Sequence, residues 1–502
     1  MQTNYIIFST KGNHYLYSPY KTKILLLHPI MYYLLKLNKK GTLSKWLKSI
    51  KNEDCVWIES IGSTSKEEVF YQYKKMRFLS HNDFFRKEEK LQNLYQFTEN
   101  DIKYSLANTV SITFEVTEKC NLNCEYCIYG KYYLNKREGN KPAKLKLESI
   151  KRILNYVIPL WNSSLNSSFN KKLFIGFYGG EALLNISFIK EVINYLKESS
   201  LIDMHSIEFI MTTNGVLLDK YISFLVENNF HIKISLDGGT KTNNLYRKFK
   251  NGQSAFTKIY SNILRVKTDY PEYFEKNVDF ISVLHDKNEY REIVKFFLRQ
   301  FNKTANISEL ATDSLNPEME DEFWRIYRSS SDIFENSNNS ETLVSFYEIL
   351  KFIRFFSGYV KATYTDLLTD QRATNYLPGG TCAPFSRKIF ITAKGKILPC
   401  ERISHQYELG YVNESEMYFD FDSISKKYNI YYSALYKRCC KCMYRQQCGE
   451  CMFHLNVGTK DFKCKKFRKN SEENNEKFLS AYMSILEQNS FLYLQTTHFK
   501  LI

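Results

Sequence analysis

Residues 111–130 read SITFEVTEKCNLNCEYCIYG, and this stretch decides the fold. Its first seven residues, Ser111 to Thr117, favour a strand, and the loop that follows carries Cys120, Cys124 and Cys127. Three thiolates are one short of what a 4Fe-4S cubane needs, so one iron would stay free to bind a substrate or cofactor as well as to pass electrons. The stretch therefore predicts chemistry at an iron-sulfur cluster.

The cysteines have the spacing C-x3-C-x2-C, and Tyr126 stands immediately before the third. In this the sequence resembles the radical SAM superfamily, whose signature has the same spacing and an aromatic residue at that place. The resemblance implies that Tyr126 lies at the cofactor and that S-adenosylmethionine chelates the open iron. Reductive cleavage would then release a 5′-deoxyadenosyl radical that abstracts hydrogen. A zinc knuckle, or three unrelated thiols, is the alternative that the spacing leaves open.

Residues 106–315 alternate apolar, strand-like runs with helical stretches, which indicates an α/β fold with a parallel sheet. Six such units resemble the partial (β/α)6 radical SAM barrel, with active groups at the C-terminal ends of the strands. The predicted strands are Ser111–Thr117, Leu173–Tyr178, Ile207–Met211, His231–Leu236, Val278–Leu284 and Ile307–Ala311.

Several strand ends carry motifs that match the family. The resemblance implies that Gly179, Gly180 and Glu181 hold the methionyl amino group, although Ala182 replaces the family's usual proline. It also implies that Ser235 and Arg247 contact the cofactor's ribose and carboxylate, which suits the guanidinium fork. Each motif has a plainer explanation: Gly-Gly-Glu as a turn, Arg247 as a solvated helix charge. Two further residues of the expected cofactor site lie in a Thr-Asn-Gly run that is often only a turn, namely Thr213 and Asn214. A lone histidine at a strand end, His285, is expected to be a hydrogen-bonded core residue.

Eight of the 12 cysteines lie between Cys382 and Cys464, which indicates a metal-bearing domain over residues 381–470. The pattern resembles the SPASM domain of enzymes that modify peptides and proteins, except that two residues rather than three separate Cys448 from Cys451. By the family's interleaved ligation, two auxiliary 4Fe-4S clusters are implied. The first would be held by Cys382, Cys400 and Cys451, and the second by Cys439, Cys442, Cys448 and Cys464. The first set has only three thiolates, so the extra thiol of Cys440, another side chain or water would complete it, or its open iron would bind the substrate directly. Cys440 could also exchange roles with Cys451, and two C-x2-C pairs would also fit structural zinc.

Glu401 follows Cys400 directly, where sulfatase-maturing relatives place an aspartate that takes a proton. A carboxylate beside an anionic cluster is expected to have a raised pKa, which suits a catalytic base. The alternative is a surface ion pair between Glu401 and Arg402.

Residues 1–105 are predicted to form a small α+β domain, with strands at Tyr5–Ser9 and His14–Ser18, an apolar helix through Leu37 and a second helix at Leu43–Ile50. The order of strands then helices resembles the winged-helix elements that recognise precursor peptides. A purely structural cap is the alternative. Residues 316–380 are expected to be a helical linker, and residues 471–502 to carry a C-terminal amphipathic helix.

The formal charge of +16 comes mainly from lysines scattered along the chain, so no nucleic-acid partner is expected. A basic surface would help to dock an acidic electron donor of the flavodoxin or ferredoxin type, or an acidic peptide. The most apolar early stretch, Ile24 to Leu37, is too short for a membrane span. With no signal sequence recognisable, the cysteines are interpreted as reduced metal ligands in a cytoplasmic protein.

These observations together predict a radical SAM/SPASM peptide maturase that installs a thioether or carbon-carbon crosslink in a ribosomally made precursor peptide. The nearest alternative is an anaerobic sulfatase-maturing enzyme, which produces formylglycine with similar machinery. A non-catalytic zinc-binding scaffold is the alternative from a different class.

Overall fold

The computed structural model describes residues 5–19, 21, 23–86, 96–134, 142–169, 171–239, 245–312, 314–328, 383–442, 448, 450–464, 467, 469 and 471–488, and the backbone of residues 360–361. Cys382 and most of the predicted linker, residues 316–380, lie outside these ranges. No helix of the described residues is long and apolar enough to cross a membrane.

A parallel sheet of six strands forms the centre of the molecule, in the order β11-β10-β9-β8-β7-β6. Its strands are β6 (Ser111–Thr117), β7 (Leu173–Gly179), β8 (Ile207–Thr213), β9 (His231–Ser235), β10 (Val278–Val283) and β11 (Ala305–Ser308). The six predicted strands are therefore all present. The sixth was placed too late in the sequence, at Ile307–Ala311. The strand pairs with β10 only as far as Ser308, and Ala311 instead accepts a hydrogen bond from the Tyr133 hydroxyl through its carbonyl.

Eight helices of the described residues lie between and around these strands. They are α4 (Glu99–Ala107), α5 (Leu147–Asn162), α6 (Ile186–Glu198), α7 (Leu218–Glu227), α8 (Phe256–Asp269), α9 (Pro271–Asn277), α10 (Tyr290–Phe301) and α11 (Glu320–Ile326). All but the last pack on one face of the sheet, and the last packs with Tyr126, Tyr132 and Tyr133 instead.

Alternate strand residues such as Ile112, Phe114 and Val116 are buried against the helices. Their neighbours, including Glu115, point to the opposite, polar face, because successive strand side chains alternate. The last residues of β7, β8 and β9 are three of the predicted site residues, Gly179, Thr213 and Ser235.

The cysteine-rich region continues the same sheet. Strand β13 (Lys388–Ile391) pairs in parallel with β6, and β14 (Lys396–Leu398), β15 (Gly410–Val412) and β16 (Met417–Phe419) follow it in antiparallel order. Helix α12 (Phe421–Cys439) packs against α4, and its residues share the core of the barrel. A separate core for this region is thus absent from the described residues, and its boundary at residue 381 stays a prediction.

The N-terminal module has its own apolar core. It contains β1 (Ile6–Ser9), β2 (His14–Ser18), β3 (Lys23–Leu27), α1 (Pro29–Lys39), α2 (Leu43–Ser49), β4 (Cys55–Ile58), β5 (Gly62–Ser65) and α3 (Lys66–His81). The two predicted strands and the helix at Leu43–Ile50 are confirmed to within one residue. The apolar run that was expected to be helical through Leu37 divides at His28, because a residue before proline is disfavoured in the helical region and His28 instead caps α1.

Two features join this module to the rest of the chain. The C-terminal helix α13 (Glu472–Glu487) packs its apolar side on β1 and β2, and the short strand β12 (Val360–Lys361) pairs in parallel with β3. Helix α4, by contrast, buries Ile102 and Leu106 in the barrel core. The apolar side chains of α4 thus pack away from the module, and the boundary at residue 105 stays a prediction.

Candidate active site

The loop after β6 forms a clip whose three thiols, those of Cys120, Cys124 and Cys127, are partly buried. Backbone hydrogen bonds fix this loop against residues 246–249. The N–H of Asn123 donates to the Lys248 carbonyl at 2.8 Å, and that of Glu125 donates to the Tyr246 carbonyl at 3.2 Å. The clip is therefore held on both sides, by the strand that precedes it and by the segment that carries Arg247.

The electrostatics of the clip suit a positively charged occupant. The pKa of Cys124 is raised to about 12, mainly by burial. The neighbouring thiols Cys127 and Cys120 act in the same direction, and the charge of Arg247 opposes them. Deprotonated ligands at this place thus require a cation, which bound iron supplies. Three adjacent, partly buried thiols beside a guanidinium fit the ligand set of an iron-sulfur cluster with one iron left open.

Within the described parts of the chain, no three histidine, cysteine, aspartate or glutamate side chains converge on one metal position. Which metal the clip holds stays a prediction.

Gly179 and Gly180 end β7 beside the start of the clip. A Cβ at Gly180 would lie 2.6 Å from the Glu118 carbonyl oxygen and closer still to that of Lys119, and a Cβ at Gly179 would collide with Thr117. Gly179 also has a φ of +146°. Glycine is required here because the chain's own backbone approaches, whereas the sequence pattern had suggested the approach of a ligand.

We expect Gly180→Ala to displace the segment that leads into Cys120. The free energy of unfolding should fall by about 1–3 kcal/mol, because overpacking forces the backbone to move. Iron bound per chain after reconstitution should fall with it, which iron analysis and thermal unfolding would measure. Gly12→Ala is the matched control, since no heavy atom lies within 4 Å of its added Cβ. Unchanged iron loading in Gly180→Ala would contradict the packing role.

Glu181, Thr213 and Asn214 form one hydrogen-bonded group where β7 and β8 end. Oε1 of Glu181 accepts from the Thr213 hydroxyl at 2.7 Å, and Oε2 accepts from the Asn214 N–H at 2.7 Å. Burial raises the pKa of Glu181, and these hydrogen bonds oppose that shift. The Asn214 amide in turn donates to Asn121 in the clip at 2.7 Å. The structure thus brings these three predicted residues together, and their contact with the cofactor stays a prediction.

Tyr126 and Arg247 meet at a residue that the sequence analysis had missed, Asp237. The Tyr126 hydroxyl and Arg247 Nε both donate to Asp237 Oδ2, the latter at 3.0 Å. Arg247 is only 7 % exposed, so it is not the solvated helix charge that the sequence had left open. Ser235 ends β9, two residues before Asp237, and is partly buried. The signal that could have identified Asp237 is its place in the same strand-end run, Ile234-Ser-Leu-Asp.

His285 is buried and hydrogen-bonded, as predicted. Its Nδ1 accepts from the Lys287 N–H at 3.1 Å, and its ring stacks on Tyr126. Burial lowers the pKa of His285, which keeps the ring neutral.

Four of the C-terminal cysteines lie together. The pKa of Cys439 is raised to about 12, mainly by burial, and the charges of Cys448, Cys442 and Cys464 contribute to that rise. These are the four thiols predicted for the second auxiliary cluster, and an Fe-S cluster suits such a set. Cys440 is oriented differently, because its thiol lies 3.8 Å from the Lys437 carbonyl.

The first auxiliary set is described only in part. The pKa of Cys400 is raised to about 12, mainly by burial, and the adjacent Glu401 contributes to that rise. Cys451 lies in a segment that packs on the one after Cys400: His454, three residues on, contacts the Arg402 carbonyl at 3.1 Å. Cys382, the third predicted ligand, lies outside the described residues.

Glu401 forms an ion pair with Lys388, in which Lys388 Nζ lies 2.8 Å from Glu401 Oε2. The alternative of a surface pair with Arg402 is not supported, since Arg402 donates instead to the Glu309 carbonyl at 3.2 Å. The expected rise in the pKa of Glu401 depends on the charge of a neighbouring cluster and stays a prediction. Within the protein itself, burial would raise the pKa of Glu401, but the charge and hydrogen bond of Lys388 lower it below its ordinary value. The protein alone thus keeps the carboxylate ionised and makes it a weaker base.

A second buried carboxylate missed by the sequence analysis, Glu115, links the two cysteine-rich parts. It is 1 % exposed and accepts hydrogen bonds from the Tyr129 hydroxyl, just beyond the clip, and from the Ala393 N–H at 2.9 Å, in the turn between β13 and β14. No sequence motif marks it, because its partners are distant in the chain.

The chain matches the Radical SAM superfamily over residues 114–297, from β6 into α10. It is 26 % identical over 305 residues to a cysteine-type anaerobic sulfatase-maturating enzyme of Clostridium novyi, covering 59 % of this chain and 75 % of that one. It is 24 % identical over 400 residues to the radical SAM cyclopropyl synthase TigE of Paramaledivibacter caminithermalis, covering 77 % of this chain and 75 % of that one.

Among solved structures, native anSMEcpe with bound AdoMet matches with a TM-score of 0.50 and 18 % identity, over 78 % of this chain and 100 % of that one. This likeness supports the radical SAM α/β fold, and the family implies a 4Fe-4S cluster and S-adenosylmethionine. Residues 114–297 thus form a radical SAM domain, and the chain is a radical SAM superfamily enzyme, homologous to anaerobic sulfatase-maturing enzymes and to a radical SAM cyclopropyl synthase.

Proposed function

We propose that this enzyme is a peptide maturase that abstracts hydrogen from a ribosomally made precursor peptide and installs a thioether or carbon-carbon crosslink. The main support for the proposal is that the chain has an N-terminal module with its own apolar core, in addition to the radical SAM domain. A small sheet followed by helices offers edges and grooves for an extended peptide. We propose that this module binds the leader segment, while the polar face of the barrel sheet receives the segment to be modified.

Cys120, Cys124 and Cys127 would hold the radical-generating cluster, and its open iron would take S-adenosylmethionine. When bound, this pair supplies reductive cleavage of the cofactor and a hydrogen-abstracting radical. Arg247 would pair with the cofactor's carboxylate, because a guanidinium fork matches that group in two hydrogen bonds. Ser235 would contact the ribose, and the backbone from Gly179 to Glu181 would accept the amino group. An acidic flavodoxin or ferredoxin would supply the electron.

Two auxiliary clusters would complete the C-terminal region. Cys439, Cys442, Cys448 and Cys464 would hold the second, and their mutual proximity supports this. Cys400, Cys451 and Cys382 would hold the first. Their role would be to bind the peptide or to carry away the electron left after bond formation. Cys440, whose thiol lies at a backbone carbonyl, is a weaker candidate for a ligand than Cys451.

Glu401 would act as the base that takes a proton from the peptide, since its carboxylate lies 3.4 Å from the Cys400 sulfur and is held there by Lys388. We expect Glu401→Gln to lower formation of modified peptide about a hundredfold, because a positioned base contributes about that much. Release of 5′-deoxyadenosine should continue, because the clip is intact. Mass spectrometry of the peptide and chromatography of the nucleoside would measure the two. If both fell together, the carboxylate would have another role.

A sulfatase-maturing activity is the second candidate, supported by the likeness to the Clostridium novyi enzyme. The two activities change a peptide differently. A crosslink removes two hydrogen atoms and leaves no aldehyde. Oxidation of cysteine to formylglycine exchanges sulfur and two hydrogens for one oxygen, and any formylglycine reacts with a hydrazine.

The test uses the full-length, anaerobically reconstituted enzyme with S-adenosylmethionine and a reductant. Synthetic peptides encoded by short reading frames beside the gene, and a sulfatase-derived cysteine peptide, would be the substrates. We expect loss of two hydrogens, without hydrazine reactivity, in one of the encoded peptides. A hydrazine-reactive product from the sulfatase peptide alone would overturn the proposal in favour of the second candidate.

A further inference from the structure

Asp237 is a buried carboxylate that joins three separate parts of the active site. It is 0 % exposed, and it follows β9 by two residues. Its Oδ2 accepts hydrogen bonds from the Tyr126 hydroxyl and from Arg247 Nε at 3.0 Å. Its Oδ1 accepts from the Val283 N–H, in β10, at 3.0 Å. One side chain thus ties the cysteine clip to the strand ends and to the segment that carries Arg247.

Arg247 is placed against the clip by this arrangement. Its Nη1 lies 4.0 Å from the Cys124 sulfur, and its guanidinium carbon lies 5.6 Å from the centre of the Tyr126 ring. Burial alone would lower the pKa of Arg247, but the charge of Asp237 raises it above its ordinary value. A guanidinium buried to this extent needs a compensating charge, since an unpaired buried ion is strongly destabilising.

Resting on the proposed function, we propose that Asp237 is the positioning residue for S-adenosylmethionine binding: it fixes the Arg247 guanidinium beside Cys124 before the cofactor arrives. It touches neither cofactor nor cluster itself, and acts through Arg247.

The direction of the hydrogen bonds gives the physical reason. Asp237 engages the Nε–H of Arg247, so the two Nη groups are left for the clip and for a carboxylate of the cofactor. The bond from Val283 holds the carboxylate to the sheet, which is the rigid part of the fold. A guanidinium that is fixed in advance loses less conformational entropy when the cofactor binds.

The test is a cycle of three variants: Asp237→Asn, Arg247→Gln and the double variant. The readouts are the dissociation constant of S-adenosylmethionine for the anaerobically reconstituted protein, and the change that the cofactor causes in the EPR spectrum of the reduced cluster. We expect Asp237→Asn to weaken binding about tenfold, as loss of a charge-assisted hydrogen bond implies. The double variant should bind no more weakly than Arg247→Gln, because Asp237 acts through that residue.

Asp286→Asn is the matched control. Asp286 also accepts a tyrosine hydroxyl, that of Tyr246 at 2.7 Å, but it pairs with Lys287 instead of Arg247. The Asp286→Asn variant should bind S-adenosylmethionine with the affinity of the wild type. An affinity of Asp237→Asn within about twofold of wild type, with an unchanged EPR response, would overturn the inference.

A folding failure of Asp237→Asn leaves the test intact, because the double variant removes both charges of the buried pair. The comparison is then between Arg247→Gln and the double variant. Equal affinities support the inference, and a further loss in the double variant overturns it, since that loss would reveal a role independent of Arg247. If wild-type protein with loaded clusters failed to bind S-adenosylmethionine, the proposed function would fail instead.

Discussion

Cys124→Ala should reduce the formation of 5′-deoxyadenosine from S-adenosylmethionine to background. Cys124 is the middle thiol of the clip and the one that Arg247 approaches, at 4.0 Å. Without it only two thiols remain at this site, so the radical-generating cluster would lose one of its three anchors. Electrons could then no longer reach the cofactor through a bound cluster.

The measurement is anaerobic reconstitution with iron and sulfide, then dithionite and S-adenosylmethionine, with chromatography of the nucleoside. Cys55→Ala is the matched control, because Cys55 is exposed on β4 in the N-terminal module. It should retain wild-type cleavage and iron content. Continued cleavage by Cys124→Ala would refute the assignment of the clip as the site of the radical-generating cluster.

Removal of the N-terminal module should abolish productive peptide binding and leave cofactor cleavage uncoupled from it. We expect the affinity for precursor peptide to fall at least about a hundredfold, corresponding to about 2.7 kcal/mol of lost recognition energy. The clip and its partners from Gly179 to Arg247 lie outside the module, so 5′-deoxyadenosine should still form without peptide.

The structure decides where the cuts belong. Helix α4 buries Ile102 and Leu106 in the barrel core, so the truncated chain must begin before Phe97. Helix α13 packs Leu479, Tyr482, Met483 and Leu486 on the module's sheet, and each such buried side chain is worth about 1.5–3 kcal/mol. A truncated chain of residues 96–470 lacks both the module's sheet and α13, so neither of the two apolar surfaces is left exposed.

The matched control is a chain of residues 96–502, which keeps α13 but exposes its apolar side. It should be less stable and more prone to association than residues 96–470, and light scattering would show the difference. Equal turnover of peptide by residues 96–470 and by the full chain would remove leader recognition from the account.

The sequence was sufficient wherever the signal is local. The clip depends on three cysteines within eight residues, and the parallel strands follow from short apolar runs between helices. The predicted ends of strands agreed with the structure to within one residue where turn residues follow, as after β6 and β7. The sixth strand was placed too late because the apolar run continues beyond the last residue that pairs with β10.

The sequence was insufficient where partners are distant in the chain. Lys388 pairs with Glu401 and lowers its pKa, and nothing local in the sequence indicated that these two side chains meet. Glu115 resembled an ordinary polar residue of a strand, yet it accepts hydrogen bonds from Tyr129 and Ala393. The addition of β13 to the edge of the barrel sheet was likewise invisible, because sheet order is set by packing over the whole chain.

The most direct measurement of the central claim is the release of 5′-deoxyadenosine by the reconstituted full-length enzyme. Loaded protein should contain about 12 iron and 12 sulfide per chain, as three cubanes require. With dithionite and S-adenosylmethionine the loaded protein should then produce 5′-deoxyadenosine. A precursor peptide encoded beside the gene should become crosslinked in the same reaction. No 5′-deoxyadenosine from a protein whose clusters are fully loaded would contradict the account.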